Sequence, residues 1–207
     1  MKIRDSGMPD ARMWEGFFDA PRILAALGSG GVAGDTVEFG CGYGTFTVAA
    51  AAVTRGMVRA FDIEPAMVAA TRARAAAAGL QNVEVAERDF IAAGTGLANA
   101  SADCALLFNI LHAAEPVPLL REAARVLRPG GRALVIHWVC DRPTPRGPAL
   151  AIRPRPAQCA AWLVEAGFTV SRAEVDLPPW HYGVVGERRG STAARTASSE
   201  NSQRLLI

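Results

Sequence analysis

Residues Val37 to Phe46 read V-E-F-G-C-G-Y-G-T-F, and this run limits the possible fold more tightly than any other. A short apolar stretch carries one acidic residue, Glu38. Three glycines follow at alternate positions, Gly40, Gly42 and Gly44, and then an alanine-rich segment able to form a helix. Glycine lets a backbone turn sharply and approach a ligand with no side chain in between. Where a strand hands over to a helix, such a loop presents main-chain N–H groups to a bound molecule.

The rest of the chain repeats the same alternation. Strand-like segments are Thr36–Phe39, Val58–Ile63, Val83–Asp89, Cys104–Ile110 and Arg132–Trp138, with helical stretches at Thr45–Arg55, Ala66–Ala78 and Pro116–Leu127 between them. This order predicts a parallel sheet covered on both faces, an α/β doubly wound fold. Ala11–Leu27 reads as one or two helices ahead of the first strand, and Arg128-Pro129-Gly130-Gly131 as a helix stop and a turn. Beyond the fifth strand, Asp141–Pro156 holds five prolines and four arginines, too proline-rich for a helix or a central strand. A helix over Ala157–Ala166 and two β-rich pieces, Thr169–Leu177 and His181–Glu187, complete the pattern. The last two lie too close together for a parallel crossover and are expected to pair antiparallel.

At 207 residues the chain suffices for one well-cored domain. We expect a single domain over residues 1–187, with 1–34 as an N-terminal helical cover, 141–156 as a lid, and 188–207 as a disordered tail. No apolar run reaches the length of a membrane span, and the first residues lack the core of a secretory signal, so a cytoplasmic location is expected. Cys41, Cys104, Cys140 and Cys159 are widely spaced and read as free thiols. The net charge of +2 is concentrated in the lid and the tail, leaving the body acidic. A general nucleic-acid binder wants a basic face on the body, so nucleic acid is set aside as a partner.

A dinucleotide loop has the spacing G-x-G-x-x-G. Here it is G-x-G-x-G, with Thr45 where the third glycine should fall. Glu38 beside the loop suits a cationic group and sits badly beside a diphosphate. The second strand ends F-D-I-E-P, so Asp62 or Glu64 can accept hydrogen bonds from ribose hydroxyls. The third ends R-D-F, offering Asp89 to an exocyclic amine and Phe90 as apolar cover for a base. The ligand read from these residues is a nucleoside with a positively charged, phosphate-free tail.

The segments E-F-G-C-G-Y-G (38–44), F-D-I-E-P-A-M (61–67), R-D-F (88–90), F-N-I-L-H (108–112) and R-V-L-R-P-G-G (125–131) together resemble the class I S-adenosylmethionine-dependent methyltransferases. The flavour is that of the small-molecule branch that includes quinone-biosynthesis methyltransferases. The resemblance implies a seven-stranded Rossmann-like sheet whose last strand is inserted antiparallel, and S-adenosylmethionine as cofactor. It implies that Gly40, Gly42 and Gly44 line the methionine end, with Glu38 near the ammonium. Asp62 would hold the ribose, Ile63 would pack on the adenine, Asp89 and Phe90 would frame its edge, and Asn109 would lie beside the sulfonium. An N/D-P-P-Y sequence, which marks methylation of nucleic-acid exocyclic amines or of glutamine, is replaced here by F-N-I-L-H.

Methyl transfer from a sulfonium needs an aligned acceptor and, for many acceptors, removal of a proton. His112 and His137 are the candidate bases, falling beyond strands four and five, with Trp138 and His181 nearby as acceptor contacts. Either histidine could equally be a packed or capping residue. The spacing of His137 and Cys140 matches no zinc pattern, and no metal is expected. In the proline-rich segment, Arg142, Arg146, Arg153 and Arg155 are candidates to recognise an anionic acceptor, since guanidinium matches carboxylate and phosphate. The function expected is methyl transfer to a small-molecule acceptor, an anionic one where those arginines serve. A non-catalytic binder of the same cofactor, or less readily a dinucleotide-dependent oxidoreductase, are the alternatives.

Overall fold

A computed structural model describes residues 9–28 and 34–190. Seven strands form one sheet: β1 (Thr36–Phe39), β2 (Val58–Asp62), β3 (Val83–Glu87), β4 (Ala102–Phe108), β5 (Leu127–Trp138), β6 (Phe168–Leu177) and β7 (His181–Arg188). Their spatial order is β3-β2-β1-β4-β5-β7-β6. Pairing is parallel from β3 through β5, while β7 runs antiparallel to both β5 and β6. The expected topology is therefore present, with β7 inserted between β5 and β6. The order reverses at β1 and β4, where α/β sheets place their ligands at the carboxyl ends of the strands.

Period-two alternation explains why both sheet faces are covered. Ala105 and Leu107 of β4 and Ala133 and Val135 of β5 join one core cluster, while Leu106, Phe108, Leu134 and Ile136 join the other. The first face is covered by α6 (Pro116–Val126), whose Leu119, Leu120, Ala123 and Val126 form an apolar stripe, and by α7 (Pro156–Glu165) through Cys159 and Leu163. The second is covered by α2 (Ala20–Ala26) and α3 (Thr45–Ala51), through Leu24, Phe46 and Ala50. Val37 and Phe39 belong to the first face, so Glu38 between them projects toward α3.

Several boundaries differ from the expectation. The N-terminal segment, expected as one or two helices, is two, α1 (Ala11–Glu15) and α2, with the break near Gly16. Helix α3 stops at Ala51, short of Arg55. Strand β5 begins at Leu127, which pairs with Ala102 before the chain loops out over 128–131 and resumes pairing at Arg132. A four-residue helix, α5 (Phe90–Ala93), is additional, as is a 3-10 turn at Leu150–Ile152 in the lid. Strand β7 runs to Arg188, one residue into the expected tail. Residues 1–8 and 29–33 of the expected cover, and 191–207 of the expected tail, lie outside the described residues. Among the described residues no helix is long and apolar enough to cross a membrane.

Candidate active site

The glycine loop sits at the carboxyl end of β1. Gly40, Gly42 and Gly44 all adopt positive φ, at 81°, 53° and 76°, which other residues reach only at a cost. Gly44 is more crowded than Gly40: a Cβ there would lie 3.0 Å from the Thr71 side chain of α4 (Pro65–Ala77), against 3.4 Å from Ile110 at Gly40. The N–H groups of this loop are largely used within the protein. Those of Gly40 and Cys41 donate to the Phe61 carbonyl at 2.8 and 3.0 Å, that of Gly44 to the Cys41 carbonyl, and that of Gly42 to Asp62 Oδ2 at 2.9 Å. Asp62 Oδ1 accepts from the Glu64 N–H at 3.0 Å. A loop whose amides are spent in this way has little to offer a diphosphate.

Glu38 lies under the loop, 2% exposed, and accepts a hydrogen bond from the Thr47 hydroxyl. Burial pushes its carboxyl up to about 8; the Thr47 hydrogen bond works against that, and the nearby Asp62 charge adds to it. Burial also raises Asp62, against the pull of its amide donors. Two carboxyl groups in a poorly solvated site are the electrostatic complement of a cation. Thr47 was not among the residues singled out from sequence, although a hydroxyl pair at Thr45 and Thr47 in an otherwise apolar helix start was a signal that could have found it.

Asn109 follows β4 with φ of 58°, a left-handed conformation that asparagine tolerates better than most residues. Its N–H donates to the Ile136 carbonyl at 2.8 Å. Both polar atoms of its side chain are buried without a partner, as is the Thr45 hydroxyl. A buried, unpaired polar group costs about 1–3 kcal/mol, so these are positions where a ligand would supply what the protein does not. Further along the sheet, Ile63 is half-buried. Asp89 accepts from the Ala92 N–H at 3.0 Å as the cap of α5. Phe90 is buried edge-on against Phe39, ring centres 5.4 Å apart, with 8% of its surface exposed.

The candidate acceptor-side residues lie at the ends of β4, β5 and β7. His137 is 0% exposed; its Nε2 lies 3.3 Å from His112 Nδ1, and its Nδ1 lies 3.4 Å from the Trp138 carbonyl. Burial and the neighbouring His112 push His137 down to about 3, and burial also lowers His112. Trp138 and His181 are paired across β5 and β7, ring centres 4.2 Å apart, both 1% exposed. Phe17 and Phe18, between α1 and α2, close over them: Phe17 packs edge-on to Trp138 at 5.4 Å and Phe18 against His181 at 4.6 Å. The N-terminal segment thus packs on Trp138 and His181 of its own chain, and a Glu15–Arg74 ion pair and a Tyr43 hydroxyl bond to the Pro9 carbonyl hold it down. His181 Nε2 is buried without a partner, and burial lowers this histidine to about 3.

The proline-rich segment also folds over Trp138. Gly147 lies so close that a Cβ would stand 2.8 Å from the indole ring, and the Arg153 guanidinium is 5.9 Å from the ring centre. The four arginines are not equivalent. Arg153 is 8% exposed, and its three nitrogens donate to the carbonyls of Pro148, Val139 and Arg146 at 2.9, 2.9 and 3.2 Å. That makes it a strut of the lid rather than a free anion receptor. Arg142 faces Asp141 and the Pro179 carbonyl. The side chains of Arg146 and Arg155 are exposed.

Residues 37–131 match a sequence family described as a methyltransferase domain. Over 100 residues the chain is 38% identical to the ribosomal protein L11 methyltransferase of Methylococcus capsulatus, covering 48% of this chain and 31% of that protein. The chain spans less than a third of the length of the curated relatives it matches. A SAM-dependent methyltransferase from Aquifex aeolicus has the same fold at a TM-score of 0.74 and 24% identity, with 86% of this chain and 93% of that one covered. The S-adenosylmethionine-dependent methyltransferase SibL aligns with a TM-score of 0.67 and 28% identity, over 86% of this chain and 57% of that one. Residues 37–131 thus resemble a methyltransferase domain, and the sheet that carries them has the Rossmann-like fold of solved S-adenosylmethionine-dependent methyltransferases.

S-adenosylmethionine is the cofactor such a domain uses, and the residues present fit it. The loop's spent amides and the two carboxyl groups favour a cation over a diphosphate, and Asn109 and Thr45 hold the unpaired polar atoms. When bound, this cofactor supplies an activated methyl group on a sulfonium.

Proposed function

We propose that the chain transfers the methyl group of S-adenosylmethionine to a small-molecule acceptor, acting as one domain over residues 1–187 with 1–34 as cover and 141–156 as lid. In this reading Glu38 faces the ammonium, Asp62 holds the ribose, Ile63 and Phe90 bound the adenine site, and Asp89 lies at the adenine edge. Gly40, Gly42 and Gly44 form the floor, and Asn109 lies nearest the reacting methyl. His112 or His137 takes the proton that the acceptor releases. The observation that carries the reading is the buried Asn109 carboxamide, held in a left-handed backbone with neither polar atom paired, at the sheet's switch point. The aromatic wall of Phe17, Phe18 and Trp138 suits a planar acceptor, in keeping with the quinone-biosynthesis branch. Four free thiols, three of them buried, are in keeping with a reducing cytoplasm.

Incubating the protein with methyl-labelled S-adenosylmethionine and cell-extract fractions tests this directly. Label should pass to a small organic molecule; transfer only to protein or RNA, or to nothing, would contradict it. If the acceptor is anionic, Arg146→Gln or Arg155→Gln should raise its KM. Arg153→Gln should instead lower stability, because it leaves three carbonyls without their donor.

A further inference from the structure

We infer that His112 Nε2 is the atom that receives the acceptor's proton, and that His137 is a positioning residue which fixes the tautomer that leaves this nitrogen free. The inference rests on the methyl-transfer reading and resolves which histidine does what.

The chain of hydrogen bonds runs in one direction. A carbonyl oxygen only accepts, so the His137 Nδ1 that faces the Trp138 carbonyl at 3.4 Å carries the hydrogen. The distance is long, yet the opposite tautomer would set two lone pairs against each other. Neutral His137 then has its lone pair on Nε2, and that atom faces His112 Nδ1 at 3.3 Å. His112 Nδ1 must therefore be the donor. Neutral His112 is left with its only lone pair on Nε2, at the ring's far side, and it is half-buried where His137 is fully enclosed.

His137 is well suited to this task because it stays uncharged. Among the described residues the groups that face it include no carboxylate to favour imidazolium: His112 follows β4, His181 and Tyr182 lie on β7, and Arg153 reaches in from the proline-rich segment. Burial, His112, His181 and Arg153 keep it neutral through the physiological range, against the pull of the Trp138 carbonyl. The ring centres are 5.4 Å apart with the planes inclined at 76°, a separation in keeping with two imidazoles joined nitrogen to nitrogen at 3.3 Å and not stacked. When an acceptor X–H bond breaks, the proton bonds to His112 Nε2 and the electron pair stays on X for methylation. The Nδ1–H···Nε2 bond persists through that step and supports the imidazolium, which then gives its proton to water. The reverse assignment fails on geometry, since both nitrogens of His137 are already engaged.

Nitrogen-15 NMR of the full-length protein, without any acceptor, reads the tautomer and the titration of His112. The wild type should show the Nδ1–H form, in contrast to the Nε2–H form that free imidazole side chains prefer in water. His137→Phe removes the acceptor; His112 should revert toward Nε2–H and titrate at a lower pH, because its imidazolium loses a partner. His137→Gln keeps a carbonyl oxygen able to accept and should preserve the Nδ1–H form, while His137→Leu also removes the acceptor and stands in if the phenylalanine variant fails to fold. An Nε2–H form in the wild type, or a tautomer and titration that the phenylalanine or leucine variant leaves unchanged, would overturn the inference. These readouts need no substrate, so they stand or fall separately from the search for methyl transfer.

Discussion

The two halves of this site use one force with opposite results. On the glycine-loop side, burial holds a carboxylic acid uncharged: Glu38 is pushed up to about 8. On the acceptor side, burial holds bases uncharged: His137 and His181 are both pushed down to about 3. The first half is thus poised for an arriving positive charge, which would draw the proton off Glu38. The second is a neutral, aromatic cluster whose buried histidines resist protonation. The difference also shows in how each is built. Backbone conformation and main-chain hydrogen bonds shape the loop side, whereas packed rings and a strapped arginine shape the acceptor side.

The contrast can be broken most forcefully at Trp138. Replacing this 1%-exposed indole by alanine leaves a large cavity, and should cost about 3–5 kcal/mol. Cofactor affinity should change far less, since Trp138 belongs to the other half; urea unfolding and calorimetry together separate the two effects. Gly44→Ala acts the other way round. With φ of 76° and Thr71 at 3.0 Å, it should cost about 1–3 kcal/mol and weaken cofactor binding, while the NMR signals of His112 and His137 stay in place. The smallest effect is expected of Thr47→Val. It removes the hydroxyl that bonds Glu38, at about 1 kcal/mol, and should move the Glu38 titration still higher, because that bond favours the ionised form.

Glu38 also fixes a pH dependence. Its carboxyl titrates near 8 when folded, against 4.5 ordinarily, so between those values the unfolded chain has released a proton that the folded one retains. Stability of the cofactor-free protein should therefore fall as pH rises from about 4.5 to about 8. Glu38→Gln should flatten that slope in thermal melts.

Legibility in the sequence followed the same division. The strand Thr36–Phe39 was readable to the residue because the glycine after it takes a positive φ and stops the pairing. The antiparallel pairing of β6 and β7 was readable because a two-proline link is too short for a parallel crossover, whereas the insertion of β7 beside β5 followed only from the family resemblance. Asp62 stood out as a candidate by its place at the end of β2, but its two amide partners, Gly42 and Glu64, did not. The short α5 was missed because four residues carry no helical period. The acceptor side depends on contacts between distant segments, which no local pattern encodes. His112 and His137 are 25 residues apart and come together only through β4–β5 pairing. Arg153 looked like its three neighbours, yet burial in the lid turns it alone into a strut.

Calorimetric titration with S-adenosylmethionine at pH 7, in two buffers of different ionisation enthalpy, tests the central claim most directly. One molecule should bind per chain and release close to one proton, and the release should vanish in Glu38→Gln. No binding, binding without proton release in the wild type, or preferential binding of NAD would contradict it.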